Sequence, residues 1–404
     1  MRDVWITGMG AVTPLGIGVA PYWQACLEGR SGIKPIQKFN TQGLAFVRGA
    51  EIEPLAADQW LDPEETGRLS RLAAAALSAA RQALADARLL SEERRSRLPS
   101  LAVLLGTSNG GLNDGENYLR REPEETLGAG FRERQPYAFL TDMARALGLR
   151  EAQGLNTNTC AAAGYAVSLA ADLIRLERAE AVLCGAADLF AEVVQAGFAN
   201  LRALAPSCIR PFDRGREGTM LGDAAAMFLL ESADSARSRN ARPWARLAGE
   251  GWSADAYHIS APRPRGEGLE TAMRRALQAA RLAPAQISCV VAHGTGTPSN
   301  DRAEARALQA VFGPDLPPVT AFKPRVGHSQ GAAQAVDILS AALMLREGQI
   351  PPVSETIEMD PDCPLPVVVS EPKAGRLETC MVNAMGFGGN NLSLILQQAE
   401  SGPA

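Results

Sequence analysis

Short apolar segments alternate with alanine-rich segments through most of this sequence, and this alternation restricts the fold more than any other feature. In the alanine-rich segments, apolar residues recur at intervals of three and four, which is the spacing of one buried helix face. The predicted helices span residues 68–87, 161–178, 268–281, 302–311 and 331–346. The apolar segments predict strands at residues 4–8, 101–106, 181–185, 225–230, 245–253, 289–293, 318–322, 381–385 and 392–397. Such alternation predicts an α/β protein.

A polar run at residues 232–242 predicts a connection between two halves of the chain. We therefore expect an N-terminal half at residues 1–245 and a C-terminal half at residues 246–404. The first half contains an extended segment that ends at Cys160, and the second contains the strands that lead to His293 and His328. The residues that are candidates for chemistry thus come from both halves.

The composition excludes several classes of protein. The chain has 404 residues, 46% hydrophobic and 21% charged residues and a net charge of −5, which suits a soluble globular protein with one large core or two. Its 40 Lys and Arg residues are outnumbered by 45 acids and are scattered, so the electrostatic footprint of a nucleic-acid-binding protein is missing. No charged and apolar leader pattern and no long apolar stretch is present, so neither secretion nor membrane insertion is expected.

The cysteines indicate a reducing compartment. There are seven, an odd number, widely spaced and without a Cys-x-x-Cys pair. This pattern favours free thiols in a cytoplasmic protein over disulfides or a zinc site. The three histidines are also far apart in the sequence, which gives no metal-ligand spacing. We therefore expect no bound metal.

Cys160 is the strongest candidate for a nucleophile. It ends an Asn- and Thr-rich run and opens an alanine-rich predicted helix. The free N–H groups and the dipole at a helix N-terminus stabilise a thiolate, so we expect the thiol pKa to be lowered. A free Cys is nevertheless more often a small buried hydrophobic residue, and Cys160 alone does not decide between the two interpretations.

Two histidines stand in frames of small residues that suit the approach of a ligand. His293 follows an apolar strand in the sequence Ala-His-Gly-Thr-Gly-Thr-Pro, and His328 follows Lys323 by five residues at the start of a predicted helix. Taken singly, each histidine is more often structural, and Lys323 is also compatible with a purely structural buried ion pair. Their combination with Cys160 favours catalysis.

A nucleotide-binding function is disfavoured. Gly8 and Gly10 follow a strand, as in a dinucleotide fingerprint, but Thr13 takes the place of the third glycine. No acidic residue follows at a strand end at the expected distance, and no Gly-x-x-x-x-Gly-Lys loop is present. The glycine-rich segment at residues 106–111 is therefore interpreted as a turn near the site.

With these residues in place, nearly the whole chain resembles the elongating β-ketoacyl-(acyl carrier protein) synthases, condensing enzymes of the thiolase superfamily. The motifs that carry the resemblance occur in the family's order at residues 4–16, 210–213, 221–223, 255–258, 293–298, 323–328 and 386–391. The resemblance implies a thiolase-like fold, in which two duplicated halves form a five-layered α-β-α-β-α sandwich. It also implies a catalytic triad of Cys160, His293 and His328, with Lys323 tuning His328.

The resemblance implies further roles around this triad. The backbone N–H groups of Cys160 and Phe387 would form an oxyanion hole, and the other site residues would bind the acyl chain and pantetheine arm or support the site. The substrate-binding residues would be Thr295, Thr297, Phe198, Met385, Phe387 and Asn390, and the supporting residues Asp337, Asp301 and Glu304. No cofactor would be tightly bound, since phosphopantetheine arrives on the acyl carrier protein. The protein would form a homodimer, with a heterodimer as the alternative, and Arg68 and Arg71 would contact the carrier or simply form a solvated helix face.

Three positions depart from the family pattern. Asp337 stands where Glu is usual, so its contact with the Lys323 region is expected to be lost or bridged by water. Met385 and Asn390 replace a common Phe and Thr beside the acyl pocket, which suggests an unusual acyl group and a specialised secondary-metabolite enzyme. The alternatives are a ketosynthase repurposed for acyl transfer or cyclisation, a non-catalytic chain-length-factor-like subunit, and, least favoured, a biosynthetic thiolase.

Overall fold

A computed structural model describes residues 2–55, 58–90, 101–121, 135, 137–149 and 153–399. The strands are β1 Val4–Thr13, β2 Gly16–Ile17, β3 Ile33–Pro35, β4 Arg48–Ala50, β5 Ala102–Gly106, β6 Gln153–Asn156, β7 Ala181–Asp188, β8 Ala224–Ser232, β9 Ala245–Ala254, β10 Cys289–Val291, β11 Val319–Thr320, β12 Gln349–Ile350, β13 Lys373–Ala374, β14 Thr379–Gly386 and β15 Asn390–Gln397. The helices are α1 Val19–Leu27, α2 Pro63–Arg68, α3 Arg71–Asp86, α4 Leu112–Arg121, α5 Ala138–Ala146, α6 Ala162–Arg175, α7 Glu192–Asn200, α8 Ala233–Ser238, α9 Glu267–Ala280, α10 Pro298–Phe312, α11 Lys323–Val326 and α12 Ala333–Glu347. The predicted α/β class is confirmed.

The sheet contains the same five-stranded pattern twice. In the first half the strand order is β1-β8-β7-β5-β6, and in the second it is β9-β15-β14-β10-β11. In both patterns the first two pairings are antiparallel and the last two are parallel. The two patterns join where the start of β1 pairs with the start of β9. This repeated topology is the duplication that the resemblance implied.

The three largest apolar clusters hold five layers together. The central core contains α6 and α12 together with strand residues from both halves. A second core packs α3 and α5 on the outer face of the first half, and a third packs α9 and α10 on the outer face of the second. The layers are therefore helices, sheet, helices, sheet and helices. The thiolase-like, five-layered prediction is confirmed.

Alanine and glycine allow the two central helices to approach each other closely. Gly164 in α6 faces Gln334 in α12 and Leu392 in β15, and a Cβ at position 164 would collide with both side chains. Ala163, Ala335 and their alanine neighbours lie fully buried in the same core. The alanine-rich composition is therefore a consequence of helices that are packed between two sheets.

The turn before each central helix is repeated as well. Thr159 and Gln330 have left-handed φ angles of 48° and 49°, and each begins a short 3-10 turn that leads into α6 or α12. Cys160 and Gly331 thus hold equivalent places in the two halves. The N–H of Gly331 donates to the buried Asp188 carboxylate at the end of β7 (2.8 Å), which also accepts three hydrogen bonds from the turn after β5.

The predicted elements are present, with differences at their ends. The helix predicted at 68–87 is divided into α2 and α3, because Ser70 adopts an extended conformation and its Oγ caps α3 through the N–H of Ala73. The polar run at 232–242, which was predicted as a connection only, contains α8, capped by Ser232. Helices α1, α4, α5 and α7 were not predicted, since they are only 9 or 10 residues long. Among the described helices, none has the length and apolar character needed to span a membrane.

Candidate active site

Cys160 lies at the start of a central helix, as the sequence predicted. It occupies the turn Thr159–Ala161 directly before α6, and its side chain is 5% exposed. The hydroxyl of Thr159 donates to the carbonyl of Phe387 at 3.0 Å. This bond ties the turn to a second 3-10 turn, Phe387–Gly389, that follows β14. The nucleophile and the Gly-Phe-Gly-Gly segment are therefore adjacent.

Both candidate histidines lie beside Cys160. The Nε2 of His328 is 3.2 Å from the Sγ of Cys160, and the rings of His293 and His328 are 5.5 Å apart and nearly perpendicular. One sulfur atom and one nitrogen of each ring all lie within 4.8 Å of one another. The fold thus brings together three residues that are up to 168 positions apart in the sequence.

Backbone hydrogen bonds fix the two histidines. The carboxylate of Glu304 in α10 accepts the N–H groups of His293 (2.7 Å) and Gly294 (2.9 Å) at the end of β10. The N–H of His328 donates to the carbonyl of Met220 at 2.7 Å, just after Gly327 with its φ of 69°. Each imidazole is therefore held by its own main chain.

The expected lowering of the Cys160 pKa is wrong. Burial raises the pKa of this thiol to about 11. The N–H groups of Phe387 and of Cys160 itself, together with the ammonium of Lys323, lower the pKa, but they do not offset desolvation. The resting nucleophile is therefore a thiol, which needs a base to become reactive.

The two histidines are neutral at physiological pH. Burial, followed by the positive charge of Lys323, holds the pKa of His293 and of His328 well below the usual value. A neutral imidazole accepts a proton at one nitrogen and donates one at the other. The Nδ1 atoms of both rings are buried and have no hydrogen-bond partner among the described residues, so nothing there fixes the tautomer.

Lys323 and Asp337 form a buried ion pair. The Nζ of Lys323 is 3.5 Å from Oδ2 of Asp337, and both side chains are 2% exposed. The expectation that the shorter Asp side chain loses this contact or needs a water bridge is therefore wrong, because α12 carries Asp337 close enough for direct contact. Burial raises the pKa of Asp337 to about 6, although Lys323 opposes this shift.

A pocket of about 340 Å³ opens onto the sulfur of Cys160. Among its lining residues are the sequence candidates His293, His328, Phe198, Thr295, Thr297, Met385 and Phe387. The rings of Phe198 and Phe387 are stacked, with centroids 5.5 Å apart and an angle of 18°. The hydroxyls of Thr295 and Thr297 are 2.9 Å apart. An acyl chain and a polar arm could both be accommodated here.

Asn390 and Asp301 act on the backbone. Asn390 was predicted to lie against the acyl pocket, but its Nδ2 donates to the carbonyl of Phe387 at 3.1 Å, and it supports the turn instead. Asp301 is fully buried and accepts the N–H groups of Phe212 (2.8 Å) and Gly296 (3.2 Å), as expected of a supporting residue.

The structure does not place Arg68 and Arg71 at the catalytic pocket. They line a separate surface hollow between the start of α3 and α5. Arg68 is exposed, whereas Arg71 is half-buried and donates to the carbonyl of Ile52. Arg71 is therefore partly occupied by a structural contact.

Several pocket residues were not predicted. Asp255 accepts a hydrogen bond from Asn391 (2.8 Å) at the pocket wall, and Arg202 lies exposed at its mouth. Asp255 and Asn391 lie in the motifs at residues 255–258 and 386–391, so the sequence marked both positions, but only the structure shows that they contact each other at the pocket. Thr219 also lines the pocket, and nothing in its local sequence indicates this.

The three reactive side chains have enough ligand atoms in one place to hold a metal ion. Metal-bound histidines usually donate their second ring nitrogen to a fixed partner. That partner is absent here for both Nδ1 atoms within the described part of the chain. The donor set therefore suits a nucleophile with two imidazoles better than a structural metal centre.

A duplicated five-layered α/β fold, with a buried cysteine at one central helix and two imidazoles from the other half, defines the class of thiolase-fold condensing enzymes. Family models agree: "Beta-ketoacyl synthase, N-terminal domain" matches residues 1–236 and "Beta-ketoacyl synthase, C-terminal domain" matches residues 244–356. The chain belongs to the β-ketoacyl synthase family, and it is an acyltransferase that forms carbon–carbon bonds. The resemblance seen in the motifs is confirmed.

Individual relatives cover the whole chain. A 3-oxoacyl-[acyl-carrier-protein] synthase 2 of a Synechocystis species is 32% identical over 99% of each chain. Nodulation protein E of Rhizobium meliloti is 34% identical over 98% of this chain and 99% of its own length. The solved structure of the ishigamide ketosynthase/chain length factor superposes with a TM-score of 0.92 at 34% identity, covering 99% of this chain and 100% of the other.

Proposed function

We propose that this protein catalyses a decarboxylative Claisen condensation between an acyl group held on Cys160 and a malonyl group delivered by an acyl carrier protein. The observation that carries the proposal is the 3.2 Å contact between Cys160 Sγ and His328 Nε2, with His293 beside them in one pocket. Nucleophile, base and hydrogen-bond donors are thus in mutual reach.

In the first half-reaction, Cys160 takes the acyl group. His328 accepts the thiol proton at Nε2, and the sulfur attacks the carbonyl of the carrier thioester. The N–H groups of Cys160 and Phe387 stabilise the negative oxygen of the tetrahedral intermediate. The intermediate then collapses, the bond from carbon to the carrier sulfur breaks, and the carrier leaves with the proton as a free thiol.

In the second half-reaction, the malonyl group loses CO2. The bond to the carboxyl carbon breaks, and its electron pair forms an enolate. The enolate oxygen accepts hydrogen bonds from the ring N–H groups of His293 and His328. The enolate carbon attacks the acyl thioester on Cys160, the carbon–sulfur bond breaks, and the released thiolate takes up one proton. His328 accepts at Nε2 in one step and donates there in the other, which an imidazole without a fixed tautomer permits.

Intact mass spectrometry with CO2 detection tests this function. The wild type is supplied first with an acyl carrier and then with a malonyl carrier, beside Cys160→Ala as the matched control. We expect acylation confined to Cys160, then a carrier product longer by two carbons and an equivalent of CO2. Acylation without CO2 or elongation would contradict condensation and favour the repurposed ketosynthase.

We further propose that the acyl partner is a specialised one. Met385, 6% exposed, lines the pocket with a flexible side chain that adapts to irregular shapes. The relatives named above include a nodulation protein and an ishigamide ketosynthase as well as a 3-oxoacyl synthase. Extension of ordinary saturated medium-chain acyl carriers as fast as by a housekeeping synthase would contradict this proposal.

The partners are a proposal too. Phosphopantetheine would enter on an acyl carrier protein past Thr295 and Thr297, and no other cofactor would be bound. A second ketosynthase-like chain would pair along β6, the last strand of the described sheet on its side, and along the exposed Leu169 in α6 and Leu176 directly after it. We propose a homodimer. The molar mass of the purified chain from light scattering distinguishes a homodimer from a monomer that pairs only with a different chain.

A further inference from the structure

Thr219 lines the catalytic pocket and carries a buried hydroxyl without a hydrogen-bond partner among the described residues. Its side chain is 1% exposed and lines the same pocket as Cys160, and its Oγ1 has no hydrogen-bond partner among the described residues. Of the pocket-lining residues that the structure describes, only His293 and His328 share this property. The chemistry already assigned uses both histidines but leaves Thr219 without a role.

The main chain fixes Thr219 next to His328. The N–H of Thr219 donates to the carbonyl of Ala203 (2.8 Å), and its own carbonyl accepts the N–H of Ala205 (2.7 Å). The carbonyl of the next residue, Met220, accepts the N–H of His328 at 2.7 Å. The main chain of Thr219 is therefore held in place, one residue from the carbonyl that binds His328.

A buried hydroxyl without a partner in the protein is unfavourable for the folded state. Desolvation of a hydroxyl without a compensating hydrogen bond destabilises the folded state, and a valine would fill almost the same volume without this cost. Because the described residues supply no partner for Thr219 Oγ1, a molecule that carries a hydrogen-bond acceptor into the pocket could supply one. The desolvation cost of the Thr219 hydroxyl would be offset by a ligand that accepts its hydrogen bond, which indicates that Thr219 binds a ligand.

Building on the condensation proposed above, we infer that Thr219 is a substrate-binding residue that donates its O–H to the carboxylate of the malonyl group. The thioester oxygens of both substrates already have donors, namely two backbone N–H groups and two imidazoles. The carboxylate is the remaining strong acceptor. Among the other charged groups, Lys323 is paired with Asp337, Asp255 accepts from Asn391, and Arg202 is exposed at the pocket mouth.

A neutral donor is also the suitable one for this step. The carboxylate carries its full charge before reaction and loses it as CO2 departs. A cation beside it would stabilise the ground state more than the transition state and would slow decarboxylation. A single neutral hydroxyl orients the carboxylate but stabilises the ground state over the transition state less than a cation would.

The test measures the two half-reactions separately in Thr219→Val and Thr219→Ser. Acylation of Cys160 needs no carboxylate, so we expect its rate to stay within about twofold of wild type in both variants. For the malonyl carrier, Thr219→Val should lower kcat/KM by about 10- to 100-fold, the effect of one hydrogen bond to a charged group, and Thr219→Ser should recover most of it. Thr219→Val should also unfold at a higher temperature than wild type.

Ser393→Ala is the matched control. Ser393 in β15 is fully buried and its Oγ likewise has no partner among the described residues, but it lies outside the pocket. We expect this variant to gain stability and to leave both half-reactions unchanged.

Each other outcome is decisive. Normal condensation by Thr219→Val would overturn the inference and leave the proposed function intact. A defect confined to acylation would place the hydroxyl on the acyl chain and would also overturn it. A wild-type protein that is acylated but releases no CO2 would contradict the proposed function itself, a failure that is visible without any variant.

Discussion

The ionisation of Cys160 gives the most direct test of the physical argument. Burial raises the pKa of the thiol to about 11, whereas a helix start alone would lower it. At about pH 8 a pKa of 11 leaves ~0.1% of the sulfur as thiolate, against ~24% for an ordinary cysteine with a pKa of ~8.5. Because a thiolate of higher pKa is about 10-fold more nucleophilic, spontaneous alkylation at this pH should be ~20-fold slower than for a free thiol, before any steric effect.

The assay is alkylation with iodoacetamide as a function of pH, resolved by residue with mass spectrometry. The neutral thiol predominates below its pKa, so the rate at Cys160 should rise tenfold per pH unit up to about pH 11. Alkylation of the half-exposed Cys208 in the same sample is the internal control that the reagent is active at each pH. Because Lys323 lowers this pKa, Lys323→Met should move the midpoint further up. A plateau reached already near pH 7 would refute the dominance of burial.

Three further predictions concern the ion pair, the central helices and the reactive side chains. Asp337→Leu leaves the buried Lys323 without its partner and should cost about 3–5 kcal/mol in urea unfolding; an unchanged midpoint would contradict a buried pair. Gly164→Ala should destabilise by about 1–3 kcal/mol through overpacking, whereas Gly115→Ala, with open space around it in α4, should be neutral or stabilising. Zn²⁺ should inhibit the wild type reversibly through Cys160 and both histidines, and Zn²⁺ binding by Cys160→Ala as tight as by the wild type would argue against this site.

The α/β class was predictable because strands and helices of this protein have distinct local patterns. Strands such as β1 and β8 are mostly apolar and buried along their whole length, as expected of strands covered on both faces, and the helices show a clear periodicity. The duplication was not predictable from the residues alone, since it lies in strand order and direction. Neither Thr159 nor Gln330 has a sequence signal for its left-handed φ, and only the structure shows that they are equivalent.

The residues of the candidate site were predictable from the sequence, but the pKa of Cys160 was not. Cys160, His293 and His328 were found through motifs, and their convergence followed from the family resemblance. The direction of the Cys160 pKa was wrong because desolvation depends on residues that pack around the sulfur from both halves, which no local segment reveals. Thr219 was missed for the same reason, since its importance lies in the absence of a partner.

The repeated turns at the starts of α6 and α12 give the duplicated fold two equivalent places where a backbone N–H points at an anion. In the second half the Asp188 carboxylate accepts a hydrogen bond from the N–H of Gly331, and in the first half the equivalent residue is Cys160, whose N–H we propose as a donor to the acyl oxygen. The two turns have the same backbone but different surroundings, because an internal carboxylate accepts the N–H group of only the second one, at Gly331. The duplicated backbone thus provides two such turns, and an internal carboxylate accepts a hydrogen bond at one of them.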